Sequence, residues 1–330
     1  MPVISSPFRP AWWLPGSHAQ TLYPYFFRRH RDLRTRGERL ELSDGDFLDL
    51  AWGPEPTTAE PGRPLVLITH GLEGSVQSGY VRGLLHGLAN HGLRGVLMHW
   101  RGCSGEPNRL PRSYHAGETG DIQRVVTTLR EREPETPLAA VGYSLGGSAL
   151  LHWLAETGAD NPLVQAVAVS VPFRLADADR RLSRGFSRVY QHRLLDQLGR
   201  NLRRKAHRRG LELNVDPDSL DRFRAFDDAV TAPLHGFRDA EDYYQRCSPR
   251  QVLTRIVTPT RLIHAADDPF MFPDSIPDAD ELSDAVTLER AARGGHVGFV
   301  EGRIPLRPRP YLERHVPRIL REAFRWGETK

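Results

Sequence analysis

The sequence is poor in the residue types that mark several function classes. Cysteine occurs only at Cys103 and Cys247, which gives no disulfide framework and makes a reducing cytoplasm the expected setting. Lysine occurs only at Lys205 and Lys330, and every other basic residue is arginine. Neither lysine sits in the Gly-Lys-Ser/Thr setting of a phosphate-binding loop. Neither suits a Schiff base, since Lys205 lies in an arginine-rich polar stretch and Lys330 is terminal. No run approaches the roughly 18 apolar residues of a membrane span. The first ten residues lack a basic region followed by an apolar one, so no signal peptide is expected. Metal-ligand spacings of the His-Glu-x-x-His or clustered Cys/His kind are absent, and no metal or organic cofactor is expected. Internal repeats and low-complexity tracts are also lacking.

What is present is a soluble, globular composition: 330 residues, 39% of them apolar, with a formal charge of +4. Such a chain can bury one large core plus an insertion, or two modest domains. Residues 1–38, with their prolines, Trp12-Trp13 and a basic patch from Arg28 to Arg36, read as an irregular arm wrapping the outside. Alternation on both sides of Asp44-Gly45, from Arg39 to Leu50, predicts a hairpin. Thr57 to Pro64 reads as a loop.

From Leu65 the pattern changes to short continuous apolar runs, as expected of strands buried on both faces of a parallel sheet. Strands are predicted at Leu65–Thr69, Gly95–Met98, Leu138–Val141 and Val164–Val171. Helices Tyr80–Asn90, Gly120–Arg132 and Gly147–Glu156 alternate with them. The rhythm stops between Pro172 and Thr258 and resumes with strands Thr260–Ala266 and Ala285–Leu288 and a helix from Tyr311 to Trp326. The expected plan is an α/β fold: a mostly parallel sheet flanked by helices, formed by 1–171 and 259–330, with 172–258 inserted as a helical cap.

Within that plan, Ala139-Ala140-Val141-Gly142-Tyr143-Ser144-Leu145-Gly146-Gly147 joins a strand to a helix through Gly-x-Ser-x-Gly. That is the form of a nucleophile elbow, which presents its serine on a sharp turn. Taken alone, Ser144 would be an ordinary cap. An activated serine needs a base and an acid to orient that base, in the chain order serine, acid, histidine. The strand ending at Ala265-Ala266 runs into Asp267-Asp268-Pro269-Phe270, and the next one precedes Gly294-Gly295-His296-Val297-Gly298. Asp268 is favoured as the acid, three residues past Ala265 and just before a proline; Asp267 is the alternative. His70-Gly71-Leu72-Glu73-Gly74 follows the first buried strand and has the form of an oxyanion loop, with the backbone N–H groups of Leu72 and Leu145 as donors. His70 reads as a structural hydrogen-bonder, and His99, His115 and His264 have no positional claim. Cys103 reads as a small buried residue.

The stretch Arg180 to Arg209 carries ten arginines and Lys205 against Asp196 alone. It reads first as the solvated face of helices. The second reading is weak attraction to an anionic membrane surface, because leucines are interleaved at near-helical spacing. No nucleic-acid recognition motif accompanies the charge.

Several segments together resemble the YheT-like branch of the α/β-hydrolase superfamily, the AB hydrolase-4 family. They are Phe226-Asp227-Asp228-Ala229-Val230-Thr231-Ala232-Pro233-Leu234-His235-Gly236-Phe237, Tyr243-Tyr244, the His70–Gly74 loop, Ala266–Phe270 and Gly294–Gly302, with Gln20-Thr21-Leu22 and Asp44–Phe47. The resemblance implies a serine hydrolase with carboxylesterase or lipase-like activity on small ester or lipid substrates, with Ser144, Asp268 and His296 as its triad. An acyltransferase using the same triad and a non-catalytic binder on a hydrolase scaffold are the alternatives. Dehalogenase and epoxide hydrolase chemistry would want an aspartate at position 144.

Overall fold

A computed structural model describes residues 2–27, 33–56, 62–305 and 307–328. Arg28 to Asp32 of the basic patch and 57–61 of the loop lie outside the described residues. So do the side chain of Trp326 and the terminal Lys330.

The short apolar runs form the centre of a nine-stranded sheet. Its strands are β1 (Val3–Ser5), β2 (Arg36–Glu41), β3 (Phe47–Trp52), β4 (Leu65–Thr69), β5 (Arg94–Met98), β6 (Leu138–Tyr143), β7 (Leu163–Val169), β8 (Thr260–Ala265) and β9 (Val286–Ala291). Their order is β1-β9-β8-β7-β6-β4-β5-β3-β2. The pairs from β1 through β5 are parallel, and β3 and β2 turn antiparallel at one edge. The hairpin falls where the alternation puts it, with Leu40 opposite Leu48.

Both faces of the sheet are covered, which is why its central strands read as unbroken apolar runs rather than alternating ones. Leu65 and Leu67 of β4 point to one core layer with α3 (Gly120–Arg132) and α4 (Leu145–Thr157). Val66 and Ile68 point to the other, with α2 (Gly79–Asn90) and the C-terminal helix Leu312–Glu328.

The reading of residues 1–38 as irregular is overturned for the part described. β1 adds a parallel edge strand beside β9, and Gly16–Phe27 forms α1, a helix with Pro24 inside it. A three-residue strand is too short to show alternation. An aromatic-rich helix interrupted by proline carries no usual signature.

Between β7 and β8 the chain is helical. It holds α5 (Leu175–Leu182) and the much longer α6 (Ser187–Arg209), followed by a π-helical turn at Asp227–Thr231 and the helix Ala240–Cys247. The basic run is largely engaged with the protein itself. Arg203 pairs with Asp218, Arg200 with Asp196, and Arg180 with Asp177. Lys205 donates to the carbonyls of Pro111 and Arg112, and Arg209 to those of Pro107 and Asn108.

One buried ion cluster ties the hairpin to the helical layer. Arg101, 4% exposed, donates to Asp44 (2.8 Å) and Asp46 (3.0 Å) at the turn between β2 and β3. Its other edge meets both carboxylate oxygens of Asp121 in the first turn of α3. Asn108 and the Arg109 amide complete the shell of Asp46. Removing the guanidinium leaves Asp46 and Asp121 buried without their cation. Arg101→Met is therefore expected to cost about 3–5 kcal/mol in urea unfolding. A loss below ~1 kcal/mol, the range of exposed pairs, would contradict this.

Candidate active site

The strand β6 ends in a backbone conformation that L-residues avoid: Ser144 has φ 51° and ψ −120°. Such a turn persists only when its surroundings over-determine it. A Cβ at Gly142 would lie 2.6 Å from the Gly147 Cα, and one at Gly146 would lie 2.4 Å from the His70 carbonyl oxygen. Glycine at both positions lets the turn close against the β4 loop, and α4 starts directly after the serine. The residue pattern and the strain therefore have the same cause.

Loops from the C-terminal ends of neighbouring strands converge on that serine. His296, after β9, places Nε2 3.1 Å from Ser144 Oγ and Nδ1 2.8 Å from Asp268 Oδ2. Phe270 lies flat on the imidazole, with ring centroids 3.9 Å apart and planes 4° from parallel. Thr21 of α1 accepts the His296 N–H at 2.9 Å, and Ser170, at the end of β7, accepts that of Val297 at 3.1 Å. The two neighbouring aspartates divide the work. Asp268 reaches the imidazole, whereas Asp267 Oδ1 accepts the N–H groups of Gly294 and Gly295 and holds the histidine loop. His264, given no role by its position in the sequence, has Nε2 4.0 Å from Asp268 Oδ2. Burial lowers its pKa to about 4, so it is neutral beside that carboxylate.

Leu72 and Leu145 both line the cavity in front of Ser144. Leu145 is the first residue of α4, so its N–H has no intrahelical acceptor. Gly71 brings the β4 loop against the serine, where an added Cβ would meet the Ser144 Cβ at 3.2 Å. His70 is fully buried and accepts from the Trp100 N–H, and the Trp100 indole N–H donates to its carbonyl. Burial drives its pKa to about 3, a neutral structural ring.

One clamp on this loop has no signal in the sequence. Glu73 has φ 54°, its N–H donates to Tyr114 Oη at 2.8 Å, and that hydroxyl donates to its carboxylate at 2.9 Å. From α6, Asn201 donates to the same carboxylate and Gln197 to the Glu73 carbonyl. Those α6 partners are 128 and 124 residues away in the chain, so no local pattern announces them.

The cavity, about 180 Å³, runs from Ser144 and His296 beneath the helical insertion. Leu194, Leu198 and Leu202 of α6 form part of its wall. The leucines interleaved with the arginines thus point inward, which is why that run reads as amphipathic. At the wall lie His115 and His235, which with Glu118 bring ligand atoms within 4.8 Å of one another, the sort of cluster that could hold a metal ion. Arg112 already neutralises Glu118 at 2.6 Å, and the Gly117 N–H occupies His115 Nδ1 at 3.1 Å. Those bonds leave His115 carrying its proton on Nε2, the nitrogen facing Glu118.

A family profile described as "alpha/beta hydrolase fold" matches residues 64–303, a span that includes the helical insertion. The Escherichia coli (strain K12) protein named "Putative esterase YheT" is 45% identical over 95% of this chain and 92% of its own length. "Phospholipase ABHD3" of Mus musculus is 30% identical, covering 99% of this chain and 81% of its own. "Monoacylglycerol lipase" of Saccharomyces cerevisiae is 30% identical over 74% of this chain and 57% of its own. Among solved structures, the Pyrococcus furiosus esterase Pf2001 superposes with TM-score 0.55 over 89% of this chain and 92% of its own, at 13% identity.

Asp227, in the π-helical turn, lines the same cavity. Its carboxyl takes hydrogen bonds from Thr231 (2.6 Å) and Tyr244 (2.8 Å), with no cation among them. Burial raises its pKa from 3.8 to about 7. The folded state therefore binds this proton more tightly than the unfolded chain does. The stabilisation is full in acid and is lost as pH rises from 3.8 through about 7. Asp227→Asn, which keeps a neutral group there, is expected to flatten the fall in melting temperature across that window. Parallel melting profiles for the two proteins would contradict this.

Proposed function

Because the chain belongs to the YheT-like branch of the α/β-hydrolase fold family, we propose that it hydrolyses carboxylic esters through Ser144, His296 and Asp268. The observation that carries the reading is the unbroken relay from Asp268 Oδ2 through His296 to Ser144 Oγ, 2.8 Å and then 3.1 Å. In this reading His296 Nε2 takes the hydroxyl proton as Oγ attacks the ester carbonyl. The N–H groups of Leu72 and Leu145 stabilise the oxyanion, a contribution of about 2.7–4 kcal/mol for one such donor in a measured case. Collapse of the tetrahedral intermediate breaks the ester C–O bond, and His296 returns the proton to the departing alkoxide. Water, deprotonated by the same imidazole, then cleaves the acyl-serine and releases the acid. Asp268 keeps the imidazole in the tautomer with its proton on Nδ1 and stabilises the imidazolium.

The substrate class follows from the cavity and the relatives. Leucines of α6 line one wall, and burial pushes three titratable groups along the cavity toward neutrality. Glu73 is raised, His115 is lowered to about 4 and His235 to about 3. An ester with an apolar acyl or alkyl portion suits such a wall. The relatives named esterase, phospholipase and monoacylglycerol lipase fall in the same class. In this reading the insertion 172–258 is a cap over the acyl-binding space.

Hydrolysis of p-nitrophenyl esters by purified variants tests the assignment. Ser144→Ala should lower turnover by a factor on the order of 10⁶ and Asp268→Asn by roughly 10⁴, as in other serine triads. Asp267→Asn keeps an acceptor for Gly294 and Gly295 and should retain most of the rate. Turnover by Ser144→Ala, or an equal loss in the two aspartate variants, would overturn the assignment.

A further inference from the structure

Tyr25, Phe26 and Phe27 at the end of α1, and Phe186 and Val189 at the start of α6, are each half or more exposed. They belong to one face, because the two helices run side by side. The His18 ring lies 4.7 Å from Phe186, and the Arg193 guanidinium lies 4.2 Å over the Tyr25 ring. These contacts are two helical turns apart on each helix and pair them in the same direction. Arg193 is exposed over Tyr25, Arg184 and Arg188 are exposed two residues to either side of Phe186, and α1 contains no acidic residue. The one acid of α6, Asp196, is taken by Arg200. Apart from the exposed Arg208, the other cations of the run are bonded within the protein, which leaves Arg184, Arg188 and Arg193 as the outward charge nearest the aromatics.

We propose that this α1–α6 face docks on an anionic lipid bilayer, with the aromatic rings at the boundary between headgroups and acyl chains and the arginines on lipid phosphates. Aromatic side chains favour that boundary, and arginines near an anionic surface add electrostatic attraction. Charge complementarity selects this occupant: exposed aromatics with Arg184, Arg188 and Arg193 close by, on two helices whose one acid is already paired with Arg200, match an anionic lipid surface. The face adjoins the reaction centre, since α1 supplies Thr21 to the His296 N–H, and Tyr190 packs on Phe270, which covers the His296 ring. The proposal goes beyond ester hydrolysis and is tested by binding, so failure of one leaves the other standing.

The experiment is flotation of the full chain with vesicles of phosphatidylcholine alone or mixed with phosphatidylglycerol. Wild type should float with the mixed vesicles and stay largely behind with the neutral ones. Phe26→Ser/Phe27→Ser and Arg184→Gln/Arg188→Gln should each reduce partitioning on the order of tenfold or more, while both keep wild-type melting temperature and hydrolysis of a water-soluble ester. The arginine variant should also lose the preference for anionic vesicles. Wild type remaining unbound, equal flotation with neutral vesicles, or folded variants that partition like wild type would each overturn the proposal.

Discussion

A backbone held in a region it would otherwise leave is the constraint on which the rest of this molecule depends. Ser144 sits at φ 51° between β6 and α4, and the turn closes because Gly142 and Gly146 let backbone pack where any Cβ would collide. The cost of such strain, on the order of 1–3 kcal/mol, is borne by the completely buried strands β4 and β6 on either side of the approach. Strain recurs around the same centre: Glu73, Ser170, Val297 and Phe299 also have positive φ. The sheet fixes where the strand ends lie, and the strained loops then aim an alcohol, an imidazole and a carboxylate at one point.

The helical insertion completes the centre as well as covering it. Through Asn201 and Gln197, α6 grips Glu73, the residue after Leu72. The loop that would receive an oxyanion is thus held from the core by Tyr114 and from the insertion by α6. Along the cavity, burial works against charge of either sign: Glu73 and Asp227 are raised, and Lys205 is lowered to about 8. A wall of α6 leucines with one hydrogen-bonded relay at its end is the feature that supports the proposed reaction at an ester carbonyl.

Much of this was legible in the sequence where one physical rule acted locally. Strands buried on both faces lack polar residues, so Leu65–Thr69 and Leu138–Val141 announce themselves. The glycine pattern around Ser144 is visible because the turn itself demands it: a Cβ at Gly142 would collide with Gly147, and one at Gly146 with the end of β4. Chain order and loop position sufficed to nominate His296. What was not legible depends on distant partners. Asp268 is favoured for the histidine by its place before a proline, but that its neighbour Asp267 holds Gly294 and Gly295 is seen only in the fold. Nothing local singled out Glu73, whose α6 partners lie far along the chain. The basic run read as amphipathic without revealing that its leucines face the cavity and most of its cations are already bonded. β1 was too short for any periodic signal, and α1 was hidden by its proline and aromatics.

The central claim is that Ser144 is the residue activated by this constellation. Its most direct test is the mass of the intact protein, and then of its peptides, after exposure to a fluorophosphonate. The account predicts a single adduct on the peptide carrying Ser144, forming far more slowly when His296 is replaced by alanine. A folded protein that takes no adduct, or takes it on another residue while Ser144 stays unmodified, would contradict the account.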